Sequence, residues 1–320
     1  MAIKYNMEFY THITIPKTPF TFSYTVQTVL LGSCFAENIG KKLEGNKFKT
    51  DLNPFGTLYN PSSIAEAIRM LLQPEQFTGD DLFQHEGIYH SFSHHSRFSS
   101  PSETECLANI NRRLFSSADT ILKAQRMILT FGTAWVYERQ GEAVANCHRR
   151  PAAEFSRRRL SVEEIVETFA ELIEGPLAGK QIILTVSPVR HTGDTLAGNA
   201  VSKATLRLAA EQLTERFKCS AYFPAFEILT DDLRDYRFYA DDLVHPAPQA
   251  VAYVWEKFAP AVLTDEALRL LPEAEAIVAA AATRRARRTA PSAAVSWNGS
   301  PHFRRWIFSR KRPISADVSK

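Results

Sequence analysis

Short apolar runs alternate with amphipathic stretches along most of this 320-residue chain. Val26–Leu31, Met127–Phe131, Gln181–Val186 and Cys219–Phe223 are short runs, apolar on both faces for much of their length, and Lys47–Asp51 is a weaker fifth candidate. A strand wetted on one side alternates apolar with polar residues, whereas a strand covered by helices on both sides does not. The pattern predicts an α/β fold: a three-layer α/β/α sandwich around a mostly parallel, flavodoxin-like sheet of five strands.

The helical stretches carry start and stop signals. Ser161 with Glu164 reads as a capping box, followed at a 3.6 period by Val162, Ile165, Val166, Phe169, Leu172 and Ile173 and stopped by Gly175-Pro176. Ser63 with Glu66 and Ser102 with Glu105 read as two further starts, and Lys203–Phe217 and Gln249–Val262 as two more helices. Two hairpins are expected, Leu82–Phe92 around Glu86-Gly87 and Trp135–Ala145 around Gln140-Gly141-Glu142.

Composition narrows the class. Hydrophobic residues make up 45% and charged residues 23%, which excludes a disordered or collagen-like chain. No apolar run approaches the ~18 residues of a membrane span, and Met1–Phe20, with Glu8, His12 and Pro16, lacks the apolar centre of a secretory leader. Cys34, Cys106, Cys147 and Cys219 are scattered without a C-x-x-C, as expected of reduced thiols in a cytoplasmic protein. From Thr283 to Lys320 ten basic residues stand against one acid, which leaves residues 1–282 with 28 basic and 34 acidic side chains. The expectation is one domain over 1–282 and a basic, partly disordered tail over 283–320. A mildly acidic body does not suggest a nucleic-acid surface.

Two stretches carry chemistry. Leu30-Leu31-Gly32-Ser33-Cys34 runs from an apolar strand into a helix start, placing a serine hydroxyl at the carboxyl edge of a parallel sheet. The helix N-terminus there favours developing negative charge, although a Gly-Ser pair serves equally as an N-cap. Before the last helix of the body stands Asp242-Leu243-Val244-His245. A carboxylate three residues before an imidazole can fix its tautomer, leaving the other nitrogen to take a proton from a hydroxyl. His85, His90, His94 and His95 cluster within one loop region, but no H-E-x-x-H accompanies them and no metal site is expected. Arg190, after Ser187-Pro188, falls at the same sheet edge as Ser33. It can clamp an anionic substrate group or pair with Asp194 or Asp235. His148-Arg149-Arg150 reads as a solvated basic patch or a cleft rim.

The stretch Gly32-Ser33-Cys34-Phe35-Ala36 spells the motif of the GSCFA family, which is similar to the SGNH (GDSL-type) hydrolases. The resemblance extends through Asn53-Pro54-Phe55-Gly56-Thr57-Leu58-Tyr59-Asn60-Pro61, Ser91–Ser96, Leu129–Trp135, Ser187–His191 and Asp235–Ala240. It implies Ser33 as nucleophile, His245 as general base and Asp242 as its orienting acid. Ser33 and Gly56 N–H groups would serve the oxyanion hole. The third block departs from the pattern, with Ala134 where an asparagine donor is expected, and Asn53, Asn60 and Thr133 are the candidate replacements. Arg190, His94, His95 and Asn60 are the candidate substrate residues.

The reading is a serine ester hydrolase without a cofactor, acting on an O-acyl group of a carbohydrate or other small polar molecule. The alternatives are an inactive small-molecule or glycan-binding protein on the same fold, and an interaction protein acting through its basic tail.

Overall fold

A computed structural model describes residues 11–288. In chain order its strands are β1 (Thr28–Gly32), β2 (Thr50–Leu52), β3 (Phe83–His85), β4 (Ile88–His90), β5 (Arg126–Phe131), β6 (Trp135–Arg139), β7 (Glu142–Val144), β8 (Ser156–Arg159), β9 (Gln181–Val186) and β10 (Ser220–Tyr222). The helices are α1 (Cys34–Gly45), α2 (Pro61–Leu72), α3 (Glu103–Lys123), α4 (Val162–Glu174), α5 (Thr195–Arg216), α6 (Ala225–Glu227), α7 (Pro248–Val262) and α8 (Asp265–Arg288).

Five strands form one parallel sheet in the order β2-β1-β5-β9-β10, the flavodoxin-like arrangement, with Thr28 opposite both Thr50 and Arg126, and Arg126 opposite Gln181. All three central strands are covered on both sides. Val29, Leu31, Met127, Leu129, Ile182 and Leu184 pack under α2–α5, while Leu30, Ile128 and Ile183 pack under α1, α7 and α8. Truncating any one of these leucines or isoleucines to alanine would cost about 2–5 kcal/mol.

Two excursions stand outside the sandwich: the β3–β4 hairpin and the antiparallel sheet β7-β6-β8. Both expected hairpins form, and β8 adds a third strand to the second.

Several boundaries differ from the sequence reading. Helix α2 is capped by Asn60, whose Oδ1 accepts from Ser63 N–H at 2.8 Å, with Pro61 in the first turn; Ser63 is already inside the helix. Proline is suited to that position because its missing N–H has no intrahelical partner there. Helix α5 begins at Thr195, eight residues before the expected start. Helix α8 continues through Ala282 to Arg288, so the change of composition at Thr283 falls inside a helix. The expected disordered tail, with its Trp297–Phe308 stretch, otherwise lies outside the described residues. No helix among the described residues is long and apolar enough to cross a membrane.

Candidate active site

The carboxyl ends of β1, β5 and β9 meet where the strand order reverses, and Ser33, Asn60, Thr133, Arg190 and His245 stand near this edge. Strand β1 ends at Gly32, at φ +140°, where a Cβ would lie 2.2 Å from the Thr130 carbonyl oxygen; only glycine fits. The Gly32 N–H is held by Asn53 Oδ1 at 3.0 Å, tying the turn after β1 to the turn after β2. At the end of β5, Gly132 packs so closely that a Cβ would meet Ser33 Cβ at 3.4 Å and the Tyr59 carbonyl oxygen at 2.8 Å. That Tyr59 carbonyl accepts from both Gly132 and Thr133 N–H, at 2.8 and 2.9 Å.

Ser33 caps α1. Its Oγ accepts from Phe35 N–H at 3.2 Å, and the residue is 1% exposed. Accepting that bond leaves the hydroxyl proton available for donation, so the cap and a nucleophile are compatible roles. The next residue, Cys34, is half-buried with Sγ 4.0 Å from Tyr59 Oη, and burial raises its thiol pKa above the ordinary value.

The contact between Asp242 and His245 forms as its spacing predicts. Asp242 Oδ2 lies 2.7 Å from His245 Nδ1, and Asp242 Oδ1 accepts from the Val244 and His245 N–H groups, both at 2.9 Å. The His245 backbone N–H, then its ring, then the Val244 N–H hold the Asp242 carboxyl down at about 2. With Nδ1–H donated to this carboxylate, Nε2 of the neutral ring is the nitrogen left with the lone pair. His245 lines a cleft of about 640 Å³, together with Tyr59, Asn60, Thr133, Arg190 and His191.

Arg190 is the strut of the His245 loop. Its N–H donates to the Val244 carbonyl and its Nη1 to the Leu243 carbonyl, both at 3.1 Å, and its guanidinium lies over Tyr236 and Tyr239 at 5.5 and 5.2 Å. Leu243 itself sits at φ +57°, a conformation a leucine keeps only when its surroundings hold it. Neither acid considered for Arg190 pairs with it: Asp194 takes Arg157, and Asp235 takes Arg237.

Other expected residues fall elsewhere. The Ser33 N–H donates to the Thr130 carbonyl at 3.3 Å and the Gly56 N–H to the Asn53 carbonyl at 2.8 Å, so both expected backbone donors are engaged within the protein. Ala134 is fully buried in the core and does not line the cleft. His94 is buried against Phe55 and His95 packs on Gly56; neither lines the cleft. Asn53 is buried beneath the Gly32 turn. Asn60 and Thr133 do line the cleft. Asn60 Oδ1 is fixed by Ser63, which aims its amide nitrogen, and the Thr133 hydroxyl is 3.1 Å from Ser202 Oγ.

Three residues at this edge escaped the sequence reading of the site. The Tyr59 ring reaches from Cys34 to His191, whose ring it meets edge-on at 6.1 Å. Burial, then the Lys203 and His245 charges, push His191 down to about 4. Lys203, 1% exposed, donates to the Gly132 and Ser187 carbonyls at 2.5 and 2.7 Å, joining the ends of β5 and β9. Burial lowers it to about 7.

An α/β/α sandwich with a carboxylate–imidazole pair at the carboxyl edge of its sheet is the class these features define. Within it, the chain belongs to the GSCFA family, whose model matches residues 27–258. It is also similar to a solved structure titled "The structure of a putative platelet activating factor from Streptococcus pneumonia", at 12% identity over 73% of this chain and 83% of that one, with a TM-score of 0.34. No curated protein matches it.

Proposed function

We propose that this protein is a serine ester hydrolase of the SGNH kind, cleaving an O-acyl group from a carbohydrate or other small polar alcohol. The observation that carries the reading is the Asp242–His245 pair at 2.7 Å on the cleft wall, at the sheet edge where the Ser33 turn opens α1. His245 Nε2 takes the Ser33 proton as Oγ attacks the acyl carbonyl, then returns it to the leaving alcohol; Asp242 stabilises the imidazolium. The α1 N-terminus stabilises negative charge at Ser33. With the Ser33 and Gly56 N–H groups engaged, the donors for the oxyanion are the Asn60 amide and the Thr133 hydroxyl. Each such donor is worth on the order of 3 kcal/mol of transition-state stabilisation. Ser33 is 1% exposed and does not line the cleft, so the site has to open at the β1–α1 turn before an ester reaches the hydroxyl.

Turnover of p-nitrophenyl acetate by the purified protein tests this. Ser33→Ala and His245→Ala should abolish it, and Asp242→Asn should lower kcat by about two to four orders of magnitude while Asp241→Asn changes little. Turnover equal to that of Ser33→Ala would leave a binding protein on the same fold. A second reading rests on Cys34, which is more exposed than Ser33 at the same helix start. Loss of turnover in Cys34→Ala with retention in Ser33→Ala would assign the nucleophile to the thiol.

A further inference from the structure

Helix α5 is built inside out. Its buried face carries Asn199, Ser202, Lys203 and Thr205 beside Leu206, Ala209, Ala210 and Leu213. The polar groups are used inward: Asn199 Oδ1 accepts from His191 N–H at 2.9 Å, Ser202 Oγ accepts from Ala134 N–H at 2.8 Å, and Lys203 holds two strand-end carbonyls. Between Leu196 and Leu208 the solvent side is wholly apolar. Leu196, Ala197, Ala200, Val201, Ala204 and Leu208 are all exposed, the three larger side chains at 57%, 46% and 50%. A single exposed apolar side chain is ordinary, whereas a continuous patch marks a contact surface.

The patch is bordered by acid. The next turns of α5 expose Glu211 and Glu215, and α4, packed alongside, turns Glu163, Glu164, Glu167, Glu171 and Glu174 outward. Against these carboxylates the two helices offer Arg207 and Arg216, while Arg158 and Arg69 reach over from β8 and α2. An occupant of this face therefore needs apolar side chains and positive charge together. Residues 289–320, outside the described part of the chain, have that composition. They carry Trp297, Phe303, Trp306, Ile307 and Phe308, interleaved with or followed by Arg304, Arg305, Arg310, Lys311 and Arg312, and Asp317 is their only acid.

We propose that the stretch from Trp297 to Arg312 docks on the α5 face of its own chain, its aromatic side chains on Leu196, Val201 and Leu208 and its cations on the glutamates of α4 and α5. Phe303, Trp306 and Ile307 fall at i, i+3 and i+4, a spacing of anchors that meet one surface. Helix α8 lies on the opposite layer of the sandwich, but Phe303 follows Arg288 by fifteen residues, which span up to about 50 Å and can round the sheet edge. Magnitude separates this occupant from a second copy. One helix face falls below the roughly 1,200 Å² that stable interfaces bury, so two free chains at micromolar concentration would not hold together on it. A tethered segment meets the same face at an effective concentration on the order of millimolar, which a weak contact satisfies. A second copy would also bring the same acidic border rather than its complement.

Photo-cross-linking of the full chain tests this, with p-benzoylphenylalanine in place of Trp306 and peptide mass spectrometry to map the adduct. Irradiation should join position 306 to α5 between Leu196 and Leu208, within one chain. Val201→Asp, at an exposed position and with unchanged circular dichroism, should lower the yield about tenfold by setting a carboxylate in the apolar contact. Glu163→Lys with Glu211→Lys should lower it several-fold, and so should molar salt. Adducts confined to other surfaces or formed between two chains, or a yield that Val201→Asp leaves unchanged, would overturn the proposal. A dimer at about 100 µM that Val201→Asp dissociates in sedimentation would overturn it as well, by giving the face to a second copy.

Discussion

Replacing His94 by phenylalanine should remove close to one proton from the acid sensitivity of this fold. His94 is 2% exposed, stacked on Phe55 at 4.6 Å and edge-on to Phe77 and Phe98 at 5.0 and 5.1 Å. Its one side-chain hydrogen bond runs between Nδ1 and Ser91 Oγ at 3.0 Å. Burial, and secondarily the neighbouring His148, push it down to about 3 from an ordinary 6.5. Between those values the unfolded chain holds a proton on this ring that the folded chain does not. The stability His94 contributes is therefore complete above pH 6.5 and is lost as pH falls towards 3. The loss amounts to about 2 kcal/mol at pH 5, growing by about 1.3 kcal/mol for each further pH unit until the folded ring titrates. Urea unfolding of the wild type and His94→Phe at pH 7, 6, 5 and 4 measures it, because contributions from His148 and the carboxylates largely cancel in the difference. The wild-type stability should fall with pH more steeply than the variant's, by close to one proton between pH 6 and 4. Parallel pH profiles would refute the assignment of a buried, neutral ring.

Three further outcomes are expected. Arg190→Gln should lower esterase kcat about 10- to 100-fold with little change in KM, since it loosens the loop that carries His245 rather than a substrate contact; a rise in KM alone would make Arg190 a substrate ligand. Gly32→Ala should cost about 3 kcal/mol or more in thermal or urea unfolding, because its Cβ would lie 2.2 Å from the Thr130 oxygen in a backbone region closed to alanine; an unchanged melting temperature would contradict the described turn. Lys203→Met should cost about 2–4 kcal/mol by leaving the Gly132 and Ser187 carbonyls without a donor. The wild type should also gain stability from this lysine as pH rises from 7 towards 10.5, because only the unfolded chain still holds that proton, and the methionine variant should lack the gain.

The sheet was legible because its central strands are apolar on both faces, a pattern that a two-layer fold would not produce. The Asp242–His245 contact was legible because it is local: three residues, one turn, one carboxylate. Helix α5 was read eight residues too short because Leu196 and Val201, both exposed, break the amphipathic period of its first turns. Ser63 with Glu66 resembles a helix start, but Asn60 caps α2, and Pro61 after it is the signal of the earlier start. Nothing in the sequence marks Lys203, because a lysine in a helix reads as a solvated side chain. Its burial follows from two carbonyls at the ends of β5 and β9, which the sequence separates widely. The engagement of the Ser33 and Gly56 N–H groups and the reach of Tyr59 from Cys34 to His191 likewise depend on long-range packing.

The central claim is that Ser33 is a nucleophile activated by His245. Treating the native protein with a fluorophosphonate and mapping the adduct by peptide mass spectrometry tests it most directly. The adduct should sit on Ser33, form far more slowly in His245→Ala, and survive Cys34→Ala. A native protein that takes up no label at Ser33, or an adduct at Ser33 that forms at the same rate without His245, would contradict it.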